Sequence, residues 1–323
     1  MSKKKSDKSG LYSSVVNKGI KSGLFLVCFT IFALRQIRKV LTDRIKQFLI
    51  KIKLVTTFVR MKFVDTHCHL YLPEFAGDRQ EIIQKSIDAG VTKILLPNID
   101  ATSWQPMLEL SLQNKEVCYA MAGLHPTSVF PETVEQELAE VVRQLELNDF
   151  VAIGEIGIDL YWDRTHQQLQ EEVFRTQLQW AKKYKLPVAI HIRNSYNEVW
   201  RILKQELTSD LKGVLHCFPG NEIQATQAIE AGFKLGIGGV VTFKNSGMQE
   251  IVKTFGPEHI ILETDAPFLT PAPYRGKRNE PSYIPIIAAK VAELCSLSIE
   301  EVAEITTRNA EELFGKLSEQ VQG

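Results

Sequence analysis

Residues 63–69, FVDTHCH, run from an apolar pair into Asp65, His67, Cys68 and His69. Side chains alternate faces along an extended strand, so positions i and i+2 point the same way. His67 and His69 then share one face, with Cys68 on the other. Neutral imidazole is a common ligand of divalent cations, and two imidazoles converging on one point make a metal claw. A lone H-x-H is equally a pair of loop residues, so the rest of the chain decides. His125 in GLHP, Glu155 in GEIGID, His191 in HIRN, His216 in LHCF and Asp265 in ETDAP each stand near the C-terminal end of an apolar run. Only His166 and His259 lie elsewhere, at a helix start and a strand start. Scattered structural histidines would not collect at one end of the strands.

The elements that carry these residues repeat in type. Apolar, strand-like runs recur as MKFVDTH, VTKILLPN, VCYAMAGLHP, FVAIGEIGID, LPVAIHIRN, KGVLHCF, FKLGIGGVV and HIILETDAP. Between them the 3.6-residue period predicts helices over 79–89, 103–113, 132–147, 167–185, 196–206, 222–231 and 248–255, with two more near 282–295 and 299–314. Eight strands alternating with helices, apolar on both faces, predict a (β/α)8 TIM-type barrel over 61–323. A doubly wound open sheet is the alternative, but no G-x-G-x-x-G or G-x-x-x-x-G-K-[ST] loop supports a nucleotide-binding version of it. In a barrel all eight strand ends meet at one rim, where this fold builds its active sites.

Four histidines and two carboxylates suffice for two ions if one carboxylate bridges. Glu155 is the natural bridge, because strand four lies across the ring from strand eight. His67, His69 and Asp265 are assigned to one ion, His191 and His216 to the other, and Glu155 to both. Two cations about 3.5–4 Å apart clamp the attacking and leaving oxygens of a displacement. The donor set suits Zn²⁺ or Mn²⁺, and Mg²⁺ stays open, so the metal is not determined. Asp265 doubles as a general base, and Glu155 and Asp265 form the expected catalytic pair. Glu263, two residues before Asp265, is expected one layer deeper, accepting the free N–H of a ligand histidine.

The motifs DTHCHL, GLHP, GEIGIDLYWD, HIRN, VLHCF, GGVVTFKN, ETDAPFLTP, YRGKRNEP and TTRNAEELF occur in that order. In this respect 61–315 resembles the TatD-type metal-dependent hydrolase family, within the amidohydrolase-like barrel superfamily. The resemblance implies metal-dependent hydrolysis, chiefly of phosphodiesters in DNA. It implies one metal on His67, His69, Glu155 and Asp265 and a second on Glu155, His191 and His216. Thr127 stands where many members have a second His, and Asn194 where an Asp is common.

Phosphate recognition calls for positive groups at the rim. His125, Arg193, Arg275 and Lys277 are the candidate substrate contacts, with Arg278 in the same YRGKRNEP cluster. Tyr161, Trp162, Phe218 and Phe268 lie near strand ends, where they can stack bases or simply pack. A single strand or a strand end of DNA is the expected partner. Deacylation of an ester or amide, including an aminoacyl ester on tRNA, is the alternative chemistry; a non-catalytic scaffold is the other class.

Charge patterning argues against a long duplex substrate. The 323 residues are neutral overall, but 1–60 hold 14 Lys/Arg against Asp7 and Asp43. The extension is therefore net +12 and 61–323 net −12. An acidic body repels a polyanion, and DNA binding is driven mainly by phosphate neutralisation. Within 1–60 the apolar run GLFLVCFTIFAL is too short to cross a bilayer, which needs about 20 residues. A membrane-surface or targeting helix, a weak anchor, or a start assigned upstream of Met61 are the expectations for this segment. Five cysteines without a spaced framework suit reduced thiols in a cytosol-like compartment.

Overall fold

The computed structural model describes residues 61–317 and, before them, Arg44 alone. The readings of the 1–60 extension as a targeting, membrane-surface or superfluous segment therefore lie outside the described residues. Within 61–317, the strands are β1 (Phe63–Asp65), β2 (Val91–Leu96), β3 (Cys118–Ala120), β4 (Ile153–Asp159), β5 (Val188–Arg193), β6 (Gly213–Leu215), β7 (Lys234–Ile237) and β8 (Ile260–Leu262). All ladders are parallel and follow chain order, in one sheet of β1–β3 and one of β4–β8.

Two irregular seams close these sheets into one ring. Between β3 and β4, Val151 N–H donates to Ala120 O (3.1 Å), Ala122 N–H to Ala152 O (3.1 Å) and Gly154 N–H to Ala122 O (2.8 Å). Between β8 and β1, Thr66 N–H donates to Leu262 O (3.0 Å), Asp265 N–H to His67 O (2.9 Å) and His69 N–H to Ala266 O (2.8 Å). The regular part of β8 is shorter than the apolar pattern predicts, for a local reason. Past Leu262 the backbone leaves the ladder: Thr264 N–H is claimed by Asp65 Oδ1 (2.9 Å), and Asp265 takes φ +57°. Aspartate is among the few non-glycine residues that tolerate this left-handed region.

The connecting helices are α1 (Arg79–Asp88), α2 (Trp104–Gln113), α3 (Val134–Leu147), α4 (Gln167–Tyr184), α5 (Tyr196–Glu206), α6 (Glu222–Glu230), α7 (Met248–Phe255), α8 (Ile284–Cys295) and α9 (Ile299–Leu313). Reciprocal capping boxes start α6 (Asn221 with Gln224) and α9 (Ser298 with Glu301). The barrel core is filled by residues such as Val64, Leu95, Met121, Val214 and Ile261, and closed by Ala310, Phe314 and Leu317 from the C-terminal end. Asn309 Nδ2 ties α9 to the barrel by donating to Pro257 O and Ile260 O, both at 2.8 Å. Among the described residues no single helix is long and apolar enough to cross a membrane.

Asp65 fastens the second seam. Its side chain is fully buried, with Oδ2 accepting from Thr264 Oγ1 (2.6 Å) and Oδ1 from Thr264 N–H and His67 N–H (3.3 Å). Both chains that the seam joins carry expected metal ligands. Thr264→Val keeps the shape and removes one of these donors. The expected cost is about 1–3 kcal/mol, because a buried acceptor loses its partner. It would be read as a lower denaturant midpoint with an unchanged slope.

Candidate metal centre

Glu155 lies on β4, 2% exposed, at the centre of five imidazoles. Its two oxygens face different groups. Oε2 is 2.9 Å from His67 Nε2 and 3.6 Å from His69 Nε2. Oε1 is 2.7 Å from His191 Nδ1, 3.4 Å from His125 Nε2 and 3.9 Å from His216 Nε2. Asp265 Oδ1 completes the cage at 3.6 Å from both His69 Nε2 and His216 Nε2, and 4.0 Å from His67 Nε2. The His67 and His216 rings stack at 3.4 Å and 16°, so the two ligand groups are in contact.

Local sequence explains how the ring is packed so closely. Gly157 pairs with His191 across the β4–β5 ladder at φ +145°, and a Cβ there would stand 2.1 Å from His191 O. Only glycine admits this approach. On β7, a Cβ at Gly236 would lie 2.5 Å from Glu263 Oε2, so glycine makes the room in which that carboxylate is buried.

Outer partners fix which nitrogen of His69 and His216 faces inward, whereas His67 Nδ1 is buried without a partner. Tyr71 donates its hydroxyl proton to Pro97 O (2.6 Å), so its oxygen accepts from His69 Nδ1–H (3.0 Å). Glu263, fully buried, accepts from His216 Nδ1–H through Oε2 (3.0 Å) and from Cys217 N–H through Oε1 (2.6 Å). The Nε2 atoms of His69 and His216 then face Glu155 and Asp265. Burial opposes charge on His216, yet Cys217, Glu263 and Glu155 raise it well above the ordinary imidazole value. A positive charge, carried by a ring proton or by a cation that replaces it, is therefore called for between these nitrogens and the carboxylates they face. Moreover, Glu155, Asp159, Glu263 and Asp265 form ion pairs with histidines alone among the described residues, and with no Lys or Arg. Buried charges need compensation. The arrangement therefore fits divalent cations, and three-residue sets capable of ligation include His67–His69–Glu155, His125–Glu155–His191 and His216–Cys217–Asp265.

Titration follows the same field. Burial, reinforced by His216, presses His67 down to about 4. Burial lowers His125 as well, against the pull of Glu155. Burial also opposes charge on His191, but hydrogen bonds to Asp159 and Glu155 overcome it and raise the ring to about 9. Burial works against ionisation of Asp265 too, yet hydrogen bonds from His216 and His69 hold it well below the usual carboxylate range.

Several residues stand differently from the sequence expectation. His125, expected as a substrate contact, is 3.3 Å from His191 Nδ1 and approaches Glu155 as closely as a ligand would. Arg193 lines the cavity, with its guanidinium 4.0 Å over the Tyr161 ring and 5.1 Å over Trp162. Arg275 and Lys277 are exposed on the loop after β8, over Phe243 and Tyr274, and do not line that cavity. Arg278 is engaged elsewhere, in a two-pronged pair with Asp78 at 2.9 and 2.6 Å. Phe218 is buried and packs on Tyr196, so it is a core aromatic rather than a stacking surface. Tyr161, Trp162 and Phe268 remain exposed. Sequence reasoning missed Asp159, whose Oδ2 is 2.9 Å from His191 Nε2. The signal was present, since Asp159 lies four residues after Glu155 on the same strand face.

The cage opens into a cavity of about 650 Å³ walled by His69, His125, His191, Asp265, Trp162 and Phe268, among others. A closed parallel barrel with imidazoles and carboxylates converging at its open strand ends defines the class: a TIM-type barrel with a candidate metal centre at its rim. Comparison with known proteins narrows this. The model of the family described as TatD related DNase matches residues 64–315, and the chain belongs to the TatD family. An uncharacterised metal-dependent hydrolase of Bacillus subtilis is 39% identical over 251 residues, covering 77% of this chain and 98% of that protein. A Pantoea ananatis protein named 3'-5' ssDNA/RNA exonuclease TatD is 32% identical over 258 residues, covering 78% of this chain and 98% of its own. The crystal structure of the TatD homologue YjjV of Escherichia coli superposes with a TM-score of 0.72 at 31% identity, covering 78% of this chain and 98% of that one.

Two outcomes test the centre. A cation at His191 Nδ1 must replace a proton held up to about pH 9, so apparent metal affinity should rise with pH from 6 to 8. Competition against a chromogenic chelator measures this, and a flat profile would exclude His191 as a ligand. Glu263→Gln cannot accept from both His216 and Cys217, because one amide arm is a donor. A fall of about 10–100-fold in metal affinity is expected in the same assay.

Proposed function

We propose that this TatD-family hydrolase uses two divalent cations to cleave phosphodiester bonds of single-stranded nucleic acid, working from a 3' end. The observation that carries the reading is the split of Glu155: one oxygen faces His67 and His69, and the other faces His125, His191 and His216. A carboxylate so placed could serve two cations at once. The exonuclease name of the Pantoea ananatis relative supports the substrate class. Single strands are favoured over duplex by the acidic body, net −12 over 61–323, and by a mouth that offers one stacked arginine rather than a basic groove.

His67, His69, Glu155 and Asp265 would hold one cation, and Glu155, His191 and His216 the other, with His125 beside His191. Such cations supply an activated water and neutralise charge on the phosphate; Mg²⁺, Mn²⁺ and Zn²⁺ all suit the donors. Asp265 stays ionised across working pH and accepts the proton of the attacking water. Arg193, with its guanidinium over Tyr161, presents N–H groups to a non-bridging phosphate oxygen. Asp159 and Glu263 keep the His191 and His216 rings aligned through the reaction.

The test is metal-stripped protein assayed on end-labelled single-stranded oligonucleotides, duplexes and a carboxylic ester, with each metal restored in turn. Stepwise release from 3' ends is expected, with duplex cut more slowly. Glu155→Gln should lose at least about 100-fold in kcat/KM, since the shared charge is removed. Ester hydrolysis without oligonucleotide cleavage would instead establish the deacylase reading.

A further inference from the structure

A second cavity of about 460 Å³ adjoins the first and shares the walls Thr127, Asp159 and Trp162 with it. Its chemistry is different. Among the described residues no Lys or Arg lines it, and Asp163 and Asp159 do, so these walls disfavour phosphate. Its apolar surface comes from the exposed aromatics Phe130 (46% exposed) and Trp162 (71% exposed), with Val129 and Pro126. Phe130 stands edge-on to His166, centroids 6.1 Å apart. Gln170, 5% exposed, borders the same space, and its Oε1 is committed to Asp159 N–H at 2.9 Å. That bond directs the amide's N–H₂ end away from Asp159, as a donor suited to an exocyclic carbonyl.

We propose that this cavity is a nucleobase subsite: while Arg193 and the metal cage hold the scissile phosphate, a base flanking it stacks between Phe130 and Trp162. The inference rests on the nuclease reading and adds a division of labour to it. The first cavity takes the charge of the nucleotide and the second takes its ring. Continuity through Trp162 lets one nucleotide reach both, and the acid-lined apolar wall admits a neutral aromatic ring while disfavouring a backbone phosphate. Stacking on aromatics tolerates any base, which suits an exonuclease that must advance through every sequence. A donor at Gln170 adds a preference for bases with a carbonyl, so thymine and guanine should be favoured over adenine.

The experiment is a double-mutant cycle on the metal-loaded full-length enzyme. One arm is Phe130→Ala, with Phe130→Trp as the conservative control; half-exposed Phe130 can be truncated without opening the core. The other arm replaces the terminal or the penultimate nucleotide of a single-stranded oligonucleotide by an abasic analogue. On intact oligonucleotide Phe130→Ala should lose about 10–100-fold in kcat/KM, and Phe130→Trp should retain activity. On the oligonucleotide abasic at the stacked position, wild type and Phe130→Ala should be cleaved equally slowly. Equal losses on intact and abasic substrates, or no loss on either, would overturn the subsite and leave the nuclease reading standing. Failure of the wild-type enzyme to cut any oligonucleotide would overturn both.

Discussion

A carboxylate buried among imidazoles is the constraint on which the rest of the molecule depends. Glu155 is nearly inaccessible to water and has no lysine or arginine partner among the described residues. An ionised group in that position is tolerable only if positive charge is delivered to both of its oxygens. Two groups of histidines stand where that charge would be ligated. Their assembly draws on β1, β4, β5, β6 and the loops after β3 and β8, so the cage exists only when the ring is closed.

Closure and alignment are achieved by different devices. The β8–β1 seam is held by the buried Asp65–Thr264 clasp, directly beneath His67 and Asp265. Ring orientation is held by Tyr71, Asp159 and Glu263, each occupying the nitrogen that does not face the centre. Glycines at 157 and 236 give up side chains so that His191 and Glu263 can come close. These supports make the inner nitrogens convergent before any cation binds, which reduces the ordering cost of binding.

The mouth and the cavity beside it differ in charge. Arg193 stands over Tyr161 and near Trp162 at the metal cavity, while Asp163 and Phe130 wall the adjoining one. Net negative charge over the body opposes a long polyanion. The basic residues of the 275–278 loop contribute little to the cavity wall. Arg278 is spent on Asp78, and Arg275 and Lys277 lie over aromatics outside the cavity.

Eight apolar runs alternating with amphipathic stretches were enough to read the barrel, because strand and helix periods are local properties. His67, His69, His191, His216, Glu155 and Asp265 were legible as one group for a related reason: each sits at the same end of its run, and parallel strands bring those ends together. Even the depth of Glu263 followed from alternation along the chain. Other features depended on distances between segments far apart in sequence. Whether Arg193 or Arg278 faces the cavity turns on partners such as Tyr161 and Asp78, which no local pattern names. Phe218 and Trp162 look alike as aromatics near strand ends, yet packing buries one and exposes the other. The same holds for His125, which ring closure carries to within reach of Glu155. Sequence period thus determined which residues share an end and a face, whereas side-chain reach, burial and the second cavity were decided only when the closed ring fixed three-dimensional separations.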